Sequence, residues 1–114
     1  MYLPSSAINK QKLKSASDVI LKYLKLRSPS CAGTLAANLA REAYFGEENL
    51  ANCTVAGDRD LPGLPVEELQ QLKQTLLAQF PDYWRSPYEF EPLWKTSSKS
   101  IGQLCKRLRG NSSK

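Results

Sequence analysis

The sequence predicts an all-α domain. Apolar residues recur at helical spacing in four segments of the 114-residue chain, and serines or prolines that favour helix starts precede these segments. Prolines and glycines interrupt the stretches between them. The length fits one domain with an ordinary apolar core, which we place at residues 1–110. Residues 111–114 are expected to form a flexible C-terminal tail.

The first two predicted helical elements lie in the N-terminal region. Pro4, which two serines follow, favours a short helical turn. Ser15 or Ser17 can cap a second helix that runs to about Leu26. Its inward face is expected to consist of Ala16, Ile20, Tyr23 and Leu24.

Two further helices are predicted in the middle of the chain. One starts at Ser30 and ends in a left-handed cap at Gly46. Its inward residues are Leu35, Ala36, Leu39 and Ala43. Residues 46–64 are expected to form turns, after which Pro65 starts a helix that Pro81 ends. The apolar stripe of that helix is Leu69, Leu72, Leu76 and Phe80.

An aromatic segment precedes the last predicted helix. It contains Tyr83, Trp84, Tyr88, Phe90 and Trp94, and Pro87 and Pro92 are expected to break it into a loop. Such a loop is more often part of the core than a binding platform. We therefore expect Trp94 to be buried and Arg85 and Tyr88 to lie nearer solvent.

The last predicted helix is amphipathic, and Ser97 or Ser98 can cap it. At 100° per residue, one narrow arc of the helix is apolar and is assigned to the core. It consists of Ile101, Leu104, Cys105 and Leu108. Lys99, Gln103 and Lys106 point in nearly the opposite direction, and Arg107 and Arg109 lie on the two flanks.

The net charge of +5 is unevenly distributed along the chain. Residues 1–27 hold six cations and one anion, residues 28–94 hold four cations and ten anions, and residues 95–114 hold six cations and no anion. Surface helices usually mix signs, because opposite charges four residues apart stabilise them. A helix with an acid-free outer face suits the major groove of DNA, where Lys and Arg neutralise phosphates and Ser and Gln address base edges.

Several other classes of function are disfavoured. The chain has no histidine, which removes the commonest general base and the usual partner of a nucleophile, so we expect no enzyme. Cys31, Cys53 and Cys105 have wide, unequal spacings that build neither a disulfide framework nor a zinc site, so we expect reduced thiols, no metal and no cofactor. No apolar run is long enough to cross a membrane, and a basic helix that needs its apolar side for the core suits a membrane surface poorly. The first residues lack a secretory signal pattern, which predicts a cytosolic or nuclear protein.

Four motifs occur in an order that resembles the BEN domain family. They are the helix 32–45 ending in two aromatic residues, the pattern Glu-x-Leu-Ala-x-x-x-Val-x-Gly at 48–57, the helix that begins at 64–69 and ends in Phe80-Pro81, and the closing segment 101–108 with Cys-Lys-Arg. Each motif alone is weak, but together they cover nearly the whole chain. The basicity is most like that of the C-terminal domain of a repressor with several BEN domains.

The resemblance implies an all-α fold, a compact bundle of about five helices, that binds specific sequences in double-stranded DNA. It further implies a role in transcriptional repression on chromatin in the nucleus, possible corepressor partners and no enzymatic activity. In this family the last helix and the loop before it usually contact the DNA, and by position these correspond to Thr96 to Arg109 here. Binding as a monomer and binding as a dimer both stay open.

The candidate DNA-contacting residues combine this position with the charge pattern. They are Arg85, Tyr88, Lys95, Thr96, Ser97, Ser98, Lys99, Ser100, Gln103, Lys106, Arg107 and Arg109, with Lys10, Lys12 and Lys14 as a second, phosphate-tracking arm. The alternative hypothesis is a protein-interaction module for dimerisation or corepressor binding that uses the aromatic residues 83–90, since aromatic side chains with a polar tip are common anchors at interfaces.

Overall fold

The structure, a computed structural model, describes residues 2–4, 6 and 13–112, and within these ranges it contains five α-helices and no strand. Helices α1 to α5 span Ala16–Lys22, Ala32–Leu39, Glu47–Ala51, Val66–Ala78 and Pro87–Ser112. Short 3-10 turns and a π-helical turn over Ala40–Tyr44 join them. The radius of gyration, 13.6 Å, is close to the value of about 13 Å for a compact chain of this size. The prediction of a compact all-α bundle of about five helices is confirmed.

Helix α5 is the longest element and the axis of the fold. Its 26 residues extend over about 39 Å, which nearly equals the 41 Å length of the molecule. Helix α2 packs along it, and Gly33 allows the two helices to approach closely, because a Cβ atom there would lie 2.4 Å from Ser100 Oγ. The fully buried side chains of Leu35, Leu39 and Ile101 lie in the core that these helices share.

Helix α4 follows its predicted boundaries closely, whereas α1 begins at the predicted cap but ends at Lys22, before the predicted end near Leu26. Ser15 caps α1 and accepts a hydrogen bond from the Asp18 amide at 3.1 Å. Helix α4 starts one residue after Pro65 and ends before Pro81. The predicted stripe of α4 faces inward, with Leu72, Leu76 and Phe80 buried and Leu69 half-buried.

The inward face of α1 was predicted incorrectly at one position. Leu24 is 49% exposed, because α1 ends at Lys22 and a 3-10 turn with a different period follows it. The fully buried residue of this helix is Val19, while Ala16, Ile20 and Tyr23 are half-buried. The predicted turn at Pro4 falls largely outside the described residues.

The segment 46–64 is more ordered than predicted. Gly46 has the positive φ, 83°, that favours glycine, but its ψ of 156° lies outside the left-handed helical region, so the predicted left-handed cap was wrong and Gly46 is instead the N-cap of the next helix. Helix α3 follows immediately, with Leu50 and Ala51 buried, so the expectation of turns alone was wrong. The remaining residues form a hydrogen-bonded loop between Thr54 and Gly63.

The last helix starts ten residues before the predicted serine caps. Pro92 lies inside α5, where it removes one hydrogen bond to the carbonyl of Tyr88, on an exposed turn that water reaches. Trp94 was expected to be buried, but it is only half-buried. Arg85 and Tyr88 are exposed, as predicted. The helix continues to Ser112, two residues into the segment predicted to be a tail.

No helix in the described ranges is long and apolar enough to cross a membrane.

Candidate nucleic-acid interface

The C-terminal half of α5 presents a row of exposed polar side chains, which we call the basic face. The basic face consists of Lys95, Lys99, Gln103, Lys106 and Arg107, all of them exposed. On the opposite side, Ile101, Leu104 and Cys105 are buried, as the periodicity predicts. Lys95, Lys99 and Lys106 lie within an arc of about 40° and extend over about 17 Å of helix. The three lysines therefore form one straight stripe.

The charge of the basic face is unopposed. None of its four cations forms an ion pair with a residue that the structure describes. The nearest preceding acid on the helix, Glu91, accepts a hydrogen bond from Lys73 Nζ at 2.7 Å and so has its own partner. A polyanion that approaches α5 would therefore meet lysines and an arginine that no described carboxylate neutralises.

A cleft of about 390 Å³ separates the basic face from the loop 54–63, and we call it the α5–loop cleft. Its lining residues are Thr54, Val55, Ser98, Lys99, Gly102, Gln103, Lys106 and Arg109. The loop is ordered by two backbone hydrogen bonds, from the Thr54 amide to the Pro62 carbonyl and from the Leu64 amide to the Thr54 carbonyl, each 3.0 Å long. The sequence reasoning missed Thr54 and Val55, since nothing in their local pattern indicates contact with α5.

Arg109 ties this loop to the helix. Its Nη1 atom donates a hydrogen bond of 2.9 Å to the carbonyl of Cys53, a buried residue 56 positions away in sequence. Arg109 is half-buried and lines the cleft, and its bond to Cys53 holds the start of the loop. Across the loop, backbone amides of Leu61 and Asp60 lower the pKa of the Asp58 carboxyl, and the field of Arg109 adds to this effect.

Replacing Arg109 with alanine is expected to destabilise the fold by about 1–3 kcal/mol, because the Cys53 carbonyl loses a charged donor in a buried position. Urea denaturation followed by far-UV circular dichroism measures the change. The control is Arg107→Ala, which removes an exposed arginine from the same helix. Equal stability of the two variants would contradict the anchoring role.

Gly102 lies in the middle of α5 on the cleft side. A glycine inside a helix is less stable than alanine by about 0.5–1 kcal/mol. A Cβ atom at Gly102 would have Val55 Cγ2, at 3.8 Å, as its nearest described neighbour outside the helix backbone, which is an ordinary van der Waals distance. Packing therefore does not require glycine at this position.

The hydroxyl groups near the basic face are less available than predicted. Ser97 is fully buried and donates to the Leu93 carbonyl at 2.8 Å, so its assignment as a DNA contact was wrong. Three more hydroxyls also donate to carbonyls three or four residues earlier, those of Thr96, Ser98 and Ser100. These groups can accept hydrogen bonds, but they must give up an intrahelical bond before they donate to a phosphate.

The predicted N-terminal arm is only partly described. Lys10 and Lys12 lie outside the described residues. Lys14 is half-exposed, and its Nζ donates to Glu42 Oε1 at 3.2 Å. The same carboxylate accepts from Lys22 Nζ at 3.0 Å, so these two N-terminal cations share a partner within the fold.

The aromatic segment does not form one exposed patch. Trp84 is 57% exposed and Tyr88 87% exposed. Tyr83, by contrast, is half-buried and meets Phe80 and Phe90 edge-on, with ring centroids 6.5 and 6.0 Å apart. Tyr88 and Arg85 flank the N-terminal end of α5, and Tyr88 lies on the same side of the helix as Lys95.

The cysteines are free thiols in the structure. Burial raises the pKa of Cys53, and it raises the pKa of Cys105 to about 11, so both thiols are protonated at neutral pH. In the described ranges, no three Cys, Asp or Glu side chains come together in a way that could hold a metal ion.

Comparison with known proteins assigns no family to the chain. It matches no protein-family model, no curated protein and no solved structure. Its function is therefore inferred from the surfaces described above.

Proposed function

We propose that this chain is a BEN-type DNA-binding module that docks the basic face of α5 on double-stranded DNA. The observation that carries the proposal is the row of exposed cations from Lys95 to Arg107, which has no ionic partner among the described residues. The fold commits the apolar side of the helix to the core and leaves this row to solvent.

Duplex DNA fits this row in both shape and chemistry. The major groove is wide enough for one helix, and its phosphates line both edges. Lys95, Lys99, Lys106 and Arg107 supply charge for these phosphates, while the amide of Gln103 has the donor and acceptor that an adenine edge requires. The order of the sequence motifs supports the same assignment.

The proposed biological role follows from this assignment. A module of this kind acts in the nucleus as part of a transcriptional repressor or chromatin protein, with corepressor or chromatin proteins as further partners. We propose no catalytic activity for it.

The salt dependence of binding tests the proposal. With four phosphate contacts, the affinity for a fluorescein-labelled duplex should fall about 100-fold between roughly 50 and 200 mM salt. Fluorescence anisotropy at four or more salt concentrations measures the slope. A flat response, or no binding at low salt, would reject the proposal.

Gln103→Ala is expected to change sequence preference more than overall affinity. The loss should be about 1–3 kcal/mol at one base position, because a base edge loses its hydrogen-bonding partner. Selection of bound sequences from a random duplex pool, for wild type and variant, identifies that position. Symmetry of the selected site also tells whether one or two copies bind. An unchanged selected sequence would exclude Gln103 as a base reader.

The second candidate function is protein interaction through the aromatic segment, which the exposure of Trp84 and Tyr88 favours. This candidate predicts no salt-dependent duplex binding. It also predicts self-association that the double variant Trp84→Ala, Tyr88→Ala abolishes, as sedimentation equilibrium would measure. Duplex binding that the double variant retains would favour the first candidate.

A further inference from the structure

We infer that the α5–loop cleft seats one phosphodiester of the DNA strand directly over Gly102. This inference rests on the proposed function and deepens it by assigning a subsite within the interface. It gives the loop 54–63 a role as the second wall of that subsite. In this arrangement α5 lies in the groove while one strand runs between the helix and the loop.

Neither packing nor backbone conformation requires glycine at position 102. Its backbone is helical, and outside the neighbouring helix backbone a Cβ atom would meet the described atoms no closer than 3.8 Å. At Gly33 and Gly63, by contrast, an added Cβ atom would clash with its surroundings. At Gly33 a Cβ would lie 2.4 Å from Ser100 Oγ, and at Gly63 it would lie 2.5 Å from the Tyr2 ring and 2.9 Å from backbone. Gly102 thus leaves an opening on the helix surface that no described side chain fills.

The side chains around this opening suit a phosphodiester. Lys99 and Lys106 lie three residues before and four residues after Gly102, so both are its neighbours on the helix surface. Arg109 supplies a third cation from the adjoining part of the cleft. Val55 offers an apolar contact for a deoxyribose ring. A methyl group at position 102 would project between the two lysines, where the phosphate oxygens need to approach.

Gly102→Ala should therefore raise the stability of the fold and lower its affinity for DNA. The variant is expected to melt about 2–6 °C higher, because alanine is the better helix former. Its affinity for a labelled duplex should fall about three- to tenfold at 0.15 M salt, and its salt slope should shrink by about one, which corresponds to one lost phosphate contact. The matched control is Gly110→Ala in the same helix, where no described atom outside the neighbouring helix backbone lies within 4 Å of the added Cβ. The control should leave affinity and salt slope unchanged.

A second measurement identifies the group that the cleft binds. A series of duplexes, each with one neutral methylphosphonate linkage, locates the phosphates that contribute to binding. For wild type, neutralising the linkage over Gly102 should weaken binding about three- to tenfold, whereas in Gly102→Ala the same change should have no further effect.

The outcomes distinguish a failure of the phosphodiester subsite from a failure of the proposed DNA-binding function. If Gly102→Ala binds like wild type while Lys106→Gln weakens binding, the subsite is wrong and the proposed function stands. If Gly102→Ala weakens binding but couples to no methylphosphonate position, the cleft does not hold a phosphodiester. If Gly102→Ala lowers the melting temperature, the glycine is structural and the inference fails. If wild type binds no duplex at any salt concentration, both the subsite and the proposed function fail.

Discussion

Replacing Lys99 and Lys106 together with glutamine is expected to weaken duplex binding about 30-fold at 0.15 M salt and to reduce the salt slope by about two. Both lysines are exposed, line the α5–loop cleft and form no ion pair with a described residue. Each is therefore free to displace one condensed counterion from a phosphate. Glutamine keeps most of the side chain's length, so the change removes charge with little loss of packing. Fluorescence anisotropy over a salt series measures both quantities.

The control for this variant must remove the same charge elsewhere. Lys25 and Arg27 are exposed and belong to the turn after α1, outside α5 and the cleft. The double variant Lys25→Gln, Arg27→Gln has the same net charge as the test variant. A docked helix predicts a much smaller loss for the control. Equal losses would mean that binding depends on total charge alone and would remove the case for a specific face.

The two faces of α5 could be predicted because a helix has a fixed period. Ile101, Leu104 and Cys105 are buried and Lys99 and Lys106 exposed wherever the helix begins, since their angular separation depends only on their spacing in sequence. The assignment of the basic face therefore survived an error of ten residues in the start of the helix.

The start of α5 could not be predicted from local chemistry. Serine is favoured at helix N-caps, but inside a helix it also donates to a carbonyl four residues earlier, as Ser97 does to Leu93. Pro92 is an equally ambiguous signal, because a proline inside a helix removes one hydrogen bond, and packing of Phe90 in the core offsets this loss. Only tertiary contacts determine whether such a serine or proline lies at the start of a helix or inside it.

The second wall of the candidate site and the partners of the N-terminal cations depend on long-range contacts. Arg109 reaches Cys53 over 56 positions, and Lys14 reaches Glu42 over 28. No periodic pattern links such pairs, so a reading of charge along the chain counts Lys14 as free when it has a partner. The charge distribution predicts which segment is basic, and the fold decides which of its cations stay available.

Glu42 is the acceptor on which several of these contacts converge. It lies in the π-helical turn, and 13% of its side chain is exposed. Its carboxylate accepts hydrogen bonds from the Tyr23 hydroxyl at 2.5 Å and from Lys14, Lys22 and Arg41. Partial burial alone would raise the pKa of Glu42, but the hydrogen bonds from Tyr23, Lys22 and Lys14 outweigh it and lower the pKa from 4.5 to about 2.

Glu42→Gln is expected to destabilise the fold by about 2–3 kcal/mol at pH 7, because the charged carboxylate is better stabilised in the folded chain than in the unfolded one. The pKa of Glu42 is lower in the folded state, so its contribution is complete above about pH 5 and is lost as the pH falls toward 2. Wild type and variant should therefore differ most at neutral pH and converge near pH 2. Urea denaturation at several pH values between 2 and 7 measures the difference.

The matched control for this prediction is Glu91→Gln. Glu91 also pairs with a lysine, at 2.7 Å, but 58% of its side chain is exposed, so its loss should change stability by less than about 1 kcal/mol. A constant difference between wild type and Glu42→Gln at every pH would show that the amide disturbs packing and that the charge of Glu42 contributes nothing. A difference that grows with pH through the range 2–5 would instead show that this carboxylate holds the N-terminal segment on the helical body by its charge.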